Sequence, residues 1–311
     1  MTPPTPPAPA PTLLAEEDWT ARRARHRADV EALLDGHLRR RAAGEKHPVH
    51  DFLFTYYKHR PTQLRRWHPG YGVVLVGDTA RDQLRQPGYE RVEVNGAVGV
   101  TVSPATLSQR LGTVEFVASL LAATAARPAQ LGCFGLHEWA MVYRTDGTGV
   151  RHSSVPLRLG HAGTDAVVES LQLRCSHYDA FRFFTPDAVP RNAEPLTRDD
   201  QLAREQPGCL HAGMDLYKWC FKLSPLVESE LLLRCFRHAA AARELDMRAS
   251  PYDLSDYGYS PITIETAAGR AQYVREQSAL TTRAAALRQE LLNRCTALRA
   301  CRTDTSLATG G

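Results

Sequence analysis

Lysine is scarce in this sequence: Lys46, Lys58, Lys218 and Lys222 are the only four among 38 basic residues in 311. Amine-nucleophile chemistry therefore has few places to occur, Lys218 beside Asp215 being the one that keeps it open. Seven cysteines lie between Cys133 and Cys301 with no CxxC pair. That odd, scattered set excludes a disulfide framework and a cysteine zinc site, leaving small core residues of a reducing compartment. The longest apolar stretches, such as "VEFVASLLAATAA" (114–126), fall short of the ~20 residues that span a bilayer. A cytoplasmic protein with no membrane partner is expected. GxGxxG after a strand, GxxxxGK[ST], GxSxG and the EF-hand loop are all missing, which weighs against nucleotide-driven enzymes and α/β-hydrolases. The "HE" of "LHEWAMVYR" has no second histidine at the HExxH spacing.

Hydrophobic residues make up 43% and charged ones 23%, with a net charge of +4, so a globular core is within reach. The opening "MTPPTPPAPAPT" has neither the basic start nor the apolar segment of a secretory signal and reads as a disordered Pro-rich tail over 1–15. Residues 16–302 read as one domain and 303–311 as a second tail. "EEDWTARRARHRADVEALLDGHLRRRAAG" (16–44) predicts a helix whose basic face (Arg22, Arg23, Arg25, Arg27, Arg39, Arg40, Arg41) either tracks a phosphate backbone or is merely solvated. An aromatic helix follows from His47, broken at Pro61, with Asp51 serving as a first-turn cap. Valines alternate on both sides of Asn95-Gly96, the signature of a hairpin. "TDAVVESLQLRC" reads as a strand and "SHYDAFRFFTP" as a strand or loop. Helices resume from 208, and Leu280, Leu287, Leu291 and Leu298 form one stripe on the last. The sum is an α+β domain, predominantly α-helical, with a small antiparallel β hairpin or sheet.

"GCLHAGMDLYKWCFKL" (208–223) is the most informative stretch. At roughly 100° per residue, His211, Asp215, Lys218 and Lys222 project within about 60° of one another on a helix. Apolar side chains cover the remaining circumference, so the helix should be mostly buried with a narrow polar line facing a cleft or a strip of solvent. His211 and Asp215, four apart, can touch, as an oriented acid–base pair or as two metal ligands. "HYDAFRFFTP" contributes His177, Tyr178, Asp179 and Arg182, and "LHEWAMVYR" contributes His137, Glu138 and Trp139. "ELDMRASPYDL" adds Asp246 and Arg248 at a helix exit and Tyr252 and Asp253 in an irregular loop, where sites usually sit.

The strings "HPVHDFLFTYY", "QLRRWHPG", "LHEWAMVYR", "HYDAFRFFTP", "EQPGCLHAGMDLYKW" and "ELDMRASPYDL" together resemble, from about residue 16 to the end of the final helix, a bacterial family whose members commonly carry the label 3-methyladenine DNA glycosylase. The resemblance implies hydrolysis of the N-glycosidic bond of an alkylated, cationic purine in DNA, with no required cofactor. It carries no catalytic residue of its own. Read from the residues, that chemistry would place Asp215 or Asp253 as the carboxylate, with His211 and Arg248 as catalytic partners. Trp139, Tyr178, Tyr217 and Tyr252 would stack on the cationic base with Arg182 and Lys218 nearby, while the N-terminal arginines hold the DNA phosphates. The alternative is a metal-dependent enzyme acting on a small molecule, a non-haem iron oxygenase or a zinc hydrolase, with His137, His177, His211 and Asp179 or Asp215 as iron or zinc ligands. A third is a non-catalytic nucleic-acid-binding module.

Overall fold

The computed structural model describes residues 11–145 and 155–301. Most of them are helical, beside one small mixed sheet, which is the α+β class expected. Thr12–Leu14 forms strand β1, so the expected Pro-rich tail gives way to structure before residue 15; residues 1–10 and the expected tail at 303–311 lie outside the described residues. β1 runs parallel to β2 (Val73–Val76), and β2 lies antiparallel to β4 (Ala97–Val102), which pairs in turn with β3 (Tyr89–Val94). The hairpin forms where expected. Val94 pairs with Ala97, and both turn residues have positive φ (Asn95 53°, Gly96 77°), as a two-residue turn matched to strand twist requires.

Helix α1 (Glu16–Ala42) opens on Glu16, Glu17 and Asp18 and closes on Arg39, Arg40 and Arg41, so both ends complement the helix dipole. Its buried residues Trp19, His26, Val30 and Leu34 make a single narrow stripe. Trp19 joins Trp67, Leu75, Ala80 and Val100 in a small core under the sheet, its indole donating to Val76 O at 3.0 Å. The aromatic segment folds as two short helices, α2 (Phe52–Tyr56) and α3 (Pro61–Leu64). Asp51 does not cap α2. Its Oδ1 instead lies 2.8 Å from His37 Nδ1 and 3.0 Å from Arg40, and its Oδ2 accepts from His47 N, tying α1 to the loop after it.

The helical layer consists of α4 (Pro104–Ala125), α9 (Leu210–Leu223), α10 (Ser229–Arg248) and α11 (Ala267–Ala300), with α9 packed against the other three. Ser103 and Thr266 cap α4 and α11 by accepting from backbone N–H groups three residues on. Leu280, Leu291 and Leu298 of α11 are buried in the main core, and Leu287 packs against it.

Between α4 and α9 lie four short helices: α5 (Leu136–Ala140), α6 (Gly160–Ser170), α7 (Tyr178–Phe181) and α8 (Gln201–Arg204). Here two expectations are corrected. "TDAVVESLQLRC" is not a strand: its buried residues Thr164, Val167 and Val168 follow the i, i+3, i+4 spacing of α6, a period hidden by β-branched composition, and Leu173 alone makes an isolated bridge, to Asn192. "HYDAFRFFTP" holds a one-turn helix, because Phe181 and Phe184 are buried at a spacing of three rather than two.

Candidate buried histidine–carboxylate site

Helix α9 is as buried as its composition requires. Eleven of its fourteen residues, including His211 and Asp215, are out of solvent. The polar line runs from the interior to the surface: His211 and Asp215 are buried and meet polar residues from α5, α7 and α10, whereas Lys218 is half-buried and Lys222 is exposed.

His137 comes from α5. Phe134 and Gly135, both left-handed (φ 49° and 71°), turn the chain into that helix, and His137 Nε2 comes within 2.8 Å of Asp246 Oδ1 on α10. The His211 ring crosses that of His137 edge-on, centroids 4.5 Å apart. One ligand-type atom from each of His137, His211 and Asp246 lies within 4.8 Å of the others, and all three side chains are buried. Asp246 is held from behind: Arg243 Nη1 donates to its Oδ2 at 2.9 Å and to Glu138 Oε1 at 2.6 Å, with the guanidinium 3.9 Å above the Phe52 ring. Arg243 is itself 1% exposed, so this support is internal. Cys133 Sγ approaches His137 Nδ1 at 3.9 Å.

What distinguishes the cluster is the burial of two imidazoles and a carboxylate side by side. Despite their 2.8 Å separation, neither His137 Nε2 nor Asp246 Oδ1 has a hydrogen bond of acceptable alignment, and both atoms are buried. Buried polar groups are otherwise almost always paired, and an unpaired one costs about 1–3 kcal/mol. An ion bound at roughly 2.0–2.1 Å spans ligand pairs up to about 4.2 Å apart, so small side-chain rotations would complete such a centre.

A second group adjoins the first. His177, the residue before α7, stacks 5.4 Å from His211. Its Nε2 lies 3.4 Å from Asp215 Oδ2 and 3.8 Å from Glu205 Oε2, and neither ring nitrogen has a hydrogen bond. Asp215 accepts from Tyr57 Oη at 2.9 Å and from Lys218 Nζ at 2.9 Å, and Lys218 also reaches Asp179 Oδ2 at 3.1 Å.

The charges follow this geometry. Burial opposes the charged form of His137, but the Asp246 carboxylate outweighs it and holds the imidazole pKa well above its ordinary value. His211 goes the other way: burial first, then the neighbouring His137 cation, push its pKa well down, so it is neutral. Asp215 and Asp246 stay below the usual carboxylate range against burial, Asp215 through Lys218 and His177, Asp246 through His137 and Arg243. Burial raises Glu205, with His177 opposing.

Other residues singled out from sequence lie in different settings. Asp253 accepts from Ser255 N at 3.0 Å, an Asx turn, and its charged neighbour is Arg158. Arg248 pairs with Glu276 at 3.0 Å and donates to Ser260 O. Tyr252 belongs to a separate small core with Val49, Val142, Val155, Met247 and Leu254. Trp139 is fully buried and donates to Ala249 O at 2.8 Å. Tyr217 is buried against Tyr57, His59 and Phe236, while Tyr178 packs on the edge of the main core and Arg182 pairs with Asp179 at 3.3 Å. Asp179 therefore belongs with Lys218, and Asp246 supplies the carboxylate beside the two histidines. The i, i+3 pair of Arg243 and Asp246 on a buried helix, with Glu138 beside His137, is the signal that could have pointed there.

No family model, curated protein or solved structure matches this chain.

Functional interpretation therefore rests on the side chains themselves. A hollow of about 250 Å³ lies beside the cluster, lined by Gln130, Leu131, Gly132, Cys133, Arg174 and Gln206. It meets the site at Cys133, the residue touching His137.

Proposed function

We propose that this protein is a metal-dependent enzyme acting on a small molecule, with His137, His211 and Asp246 as the metal ligands, the ion displacing on binding the proton that Asp246 otherwise holds on His137. The observation that carries this reading is the convergence of two buried imidazoles and a buried carboxylate, one ligand-type atom of each lying within 4.8 Å of the others. Two histidines and one carboxylate suit iron(II) or zinc, and an ion in such a set supplies Lewis acidity and open positions for a reactant.

The surrounding residues have defined tasks. Arg243 and Glu138 fix Asp246 so that Oδ1, not Oδ2, is offered, and Cys133 bears on the second nitrogen of His137, the kind of outer contact that sets a ligand's orientation. Lys218, Asp215, Tyr57 and His177 form a charged, water-poor wall on the His211 side. The hollow at Cys133 is of a size for a small polar substrate, with Arg174 at its rim able to attract a negative group.

The base-excision reading implied by the family resemblance would require a carboxylate free to act on a sugar. Asp215 has both oxygens engaged, by Tyr57 and Lys218, and Asp253 caps a turn, so the geometry favours the metal reading. Elemental analysis of the purified protein tests it. Near-stoichiometric iron or zinc in the native chain, lost in His211→Asn, is expected. A metal-free protein that takes up neither ion on incubation would overturn it.

A further inference from the structure

Away from the histidine cluster, a second concavity has a different chemistry. It occupies about 840 Å³ where α1 passes the end of α3, and its ten lining residues include Glu17, Arg23, Arg27, Arg65 and Arg66. Four of the ten lining residues are arginines and one is acidic. Of the other arginines of α1, Arg22 pairs with Glu230 and Arg40 with Asp51, and Arg39 makes a surface pair with Asp35. Arg27 has only a solvent-exposed partner, Glu31, four residues on. Arg23 lies over the Trp19 ring at 4.8 Å, and among the described residues no carboxylate reaches Arg23, Arg65 or Arg66 within ion-pair distance. Arg65 Nε is, in addition, buried without a hydrogen-bond partner.

Gathering four guanidinium groups around one hollow with only Glu17 in its lining and Glu31 beside Arg27 leaves an excess of positive charge there, which is unfavourable without an anion. Arg23 and Arg27 stand one helical turn apart, about 6 Å along the axis, and Arg65 and Arg66 approach from another element. Guanidinium groups set at such intervals match linked phosphates, which offer several anionic oxygens in sequence and accept bidentate hydrogen bonds. The volume exceeds what one phosphate fills.

We propose that this hollow binds linked phosphate groups, as presented by a nucleic-acid backbone or by a free polyphosphate. The inference is independent of the metal reading, since it shares no residue with the histidine cluster.

The test uses the full chain, a fluorescein-labelled 20-nucleotide single strand followed by anisotropy, and inorganic tripolyphosphate followed by calorimetry. If all four arginines contact phosphates of a strand, affinity should fall about 50-fold between 50 and 200 mM salt; in R65Q/R66Q the fall should shrink to about 7-fold, from roughly 0.7 counterion released per contact. Saturable tripolyphosphate binding weakened at least tenfold by R65Q/R66Q, with the oligonucleotide no tighter, would support the proposal with a free polyphosphate as the ligand. Oligonucleotide binding with the stated salt dependence, displaced by tripolyphosphate, would support it with a nucleic-acid backbone. Failure of both probes to bind at 50 mM salt, or binding that R65Q/R66Q leaves unchanged, would overturn it. Neither residue has an ion pair to lose, so the variant should melt within a degree or two of the native chain, and circular dichroism checks this.

Discussion

Replacing His211 by Asn separates metal binding from folding, because this imidazole is the one ligand candidate that is neutral and outside the ion-pair network. His137 and Asp246 compensate each other's charge and Arg243 holds Asp246, whereas His211 meets its neighbours through ring contacts with His137 and His177. Losing those contacts should cost about 1–3 kcal/mol, the range of an ordinary buried substitution. A ligand at 100 times its Kd stabilises the folded state by about 2.7 kcal/mol, and at roughly 2–4 °C per kcal/mol for a domain of this order the native chain should gain about 5–10 °C on metal addition. Asn is too short to replace the imidazole, so His211→Asn should lose that gain while keeping a cooperative transition. Asp246→Asn should behave differently: it leaves the Arg243 and His137 charges under-compensated, so it should lose both the metal response and about 3–5 kcal/mol of intrinsic stability. The assay is scanning fluorimetry of chelator-treated protein against zinc(II) and, without oxygen, iron(II). Equal metal-induced shifts in the native chain and His211→Asn, or none in the native chain, would refute the assignment.

Lys218→Met should cost about 3–5 kcal/mol in urea unfolding, because it strands Asp215, 1% exposed, without its principal cation; a loss below 1 kcal/mol would show that Tyr57 and His177 suffice. Burial lowers the His68 pKa from 6.5 to about 4. The unfolded chain therefore takes up this proton first as pH falls, and the His68 contribution, intact above pH 6.5, should drain away towards pH 4 at up to about 1.4 kcal/mol per pH unit. His68→Gln should flatten the stability–pH curve in that window, and an unchanged slope would rule this out. Gly208→Ala places a Cβ 2.5 Å from the backbone oxygen of Gln130. Backbone cannot swing aside as a side chain can, so a loss of about 1–3 kcal/mol is expected, and a Tm equal to native would contradict the packing.

Local patterns were legible without coordinates because they are set by neighbours in the chain. The long helices, the Asn95-Gly96 hairpin and the buried character of α9 all follow from periodicities of 3.6 or 2 and from backbone preferences. His137, His177 and His211 were recognisable as candidates by type and by their unusual company. Their partners were not. Asp246 lies 109 residues from His137, and its choice over Asp179 or Asp253 depends on how α10 crosses α5 and α9, which sequence spacing does not encode. Short elements misled for a similar reason: α6 and α7 are too brief for their period to outweigh β-branched and aromatic composition, and packing decided them.

The sequence by itself determined that a predominantly helical α+β domain would form around a greasy helix with a thin polar line. Only the tertiary structure decided that the inner end of this line, at His211, would meet a cation-supported carboxylate from α10. Helix formation is governed by contacts a few residues apart, whereas a converging set of ligand atoms requires distant segments to be fixed within a few ångströms by the packing of the whole core.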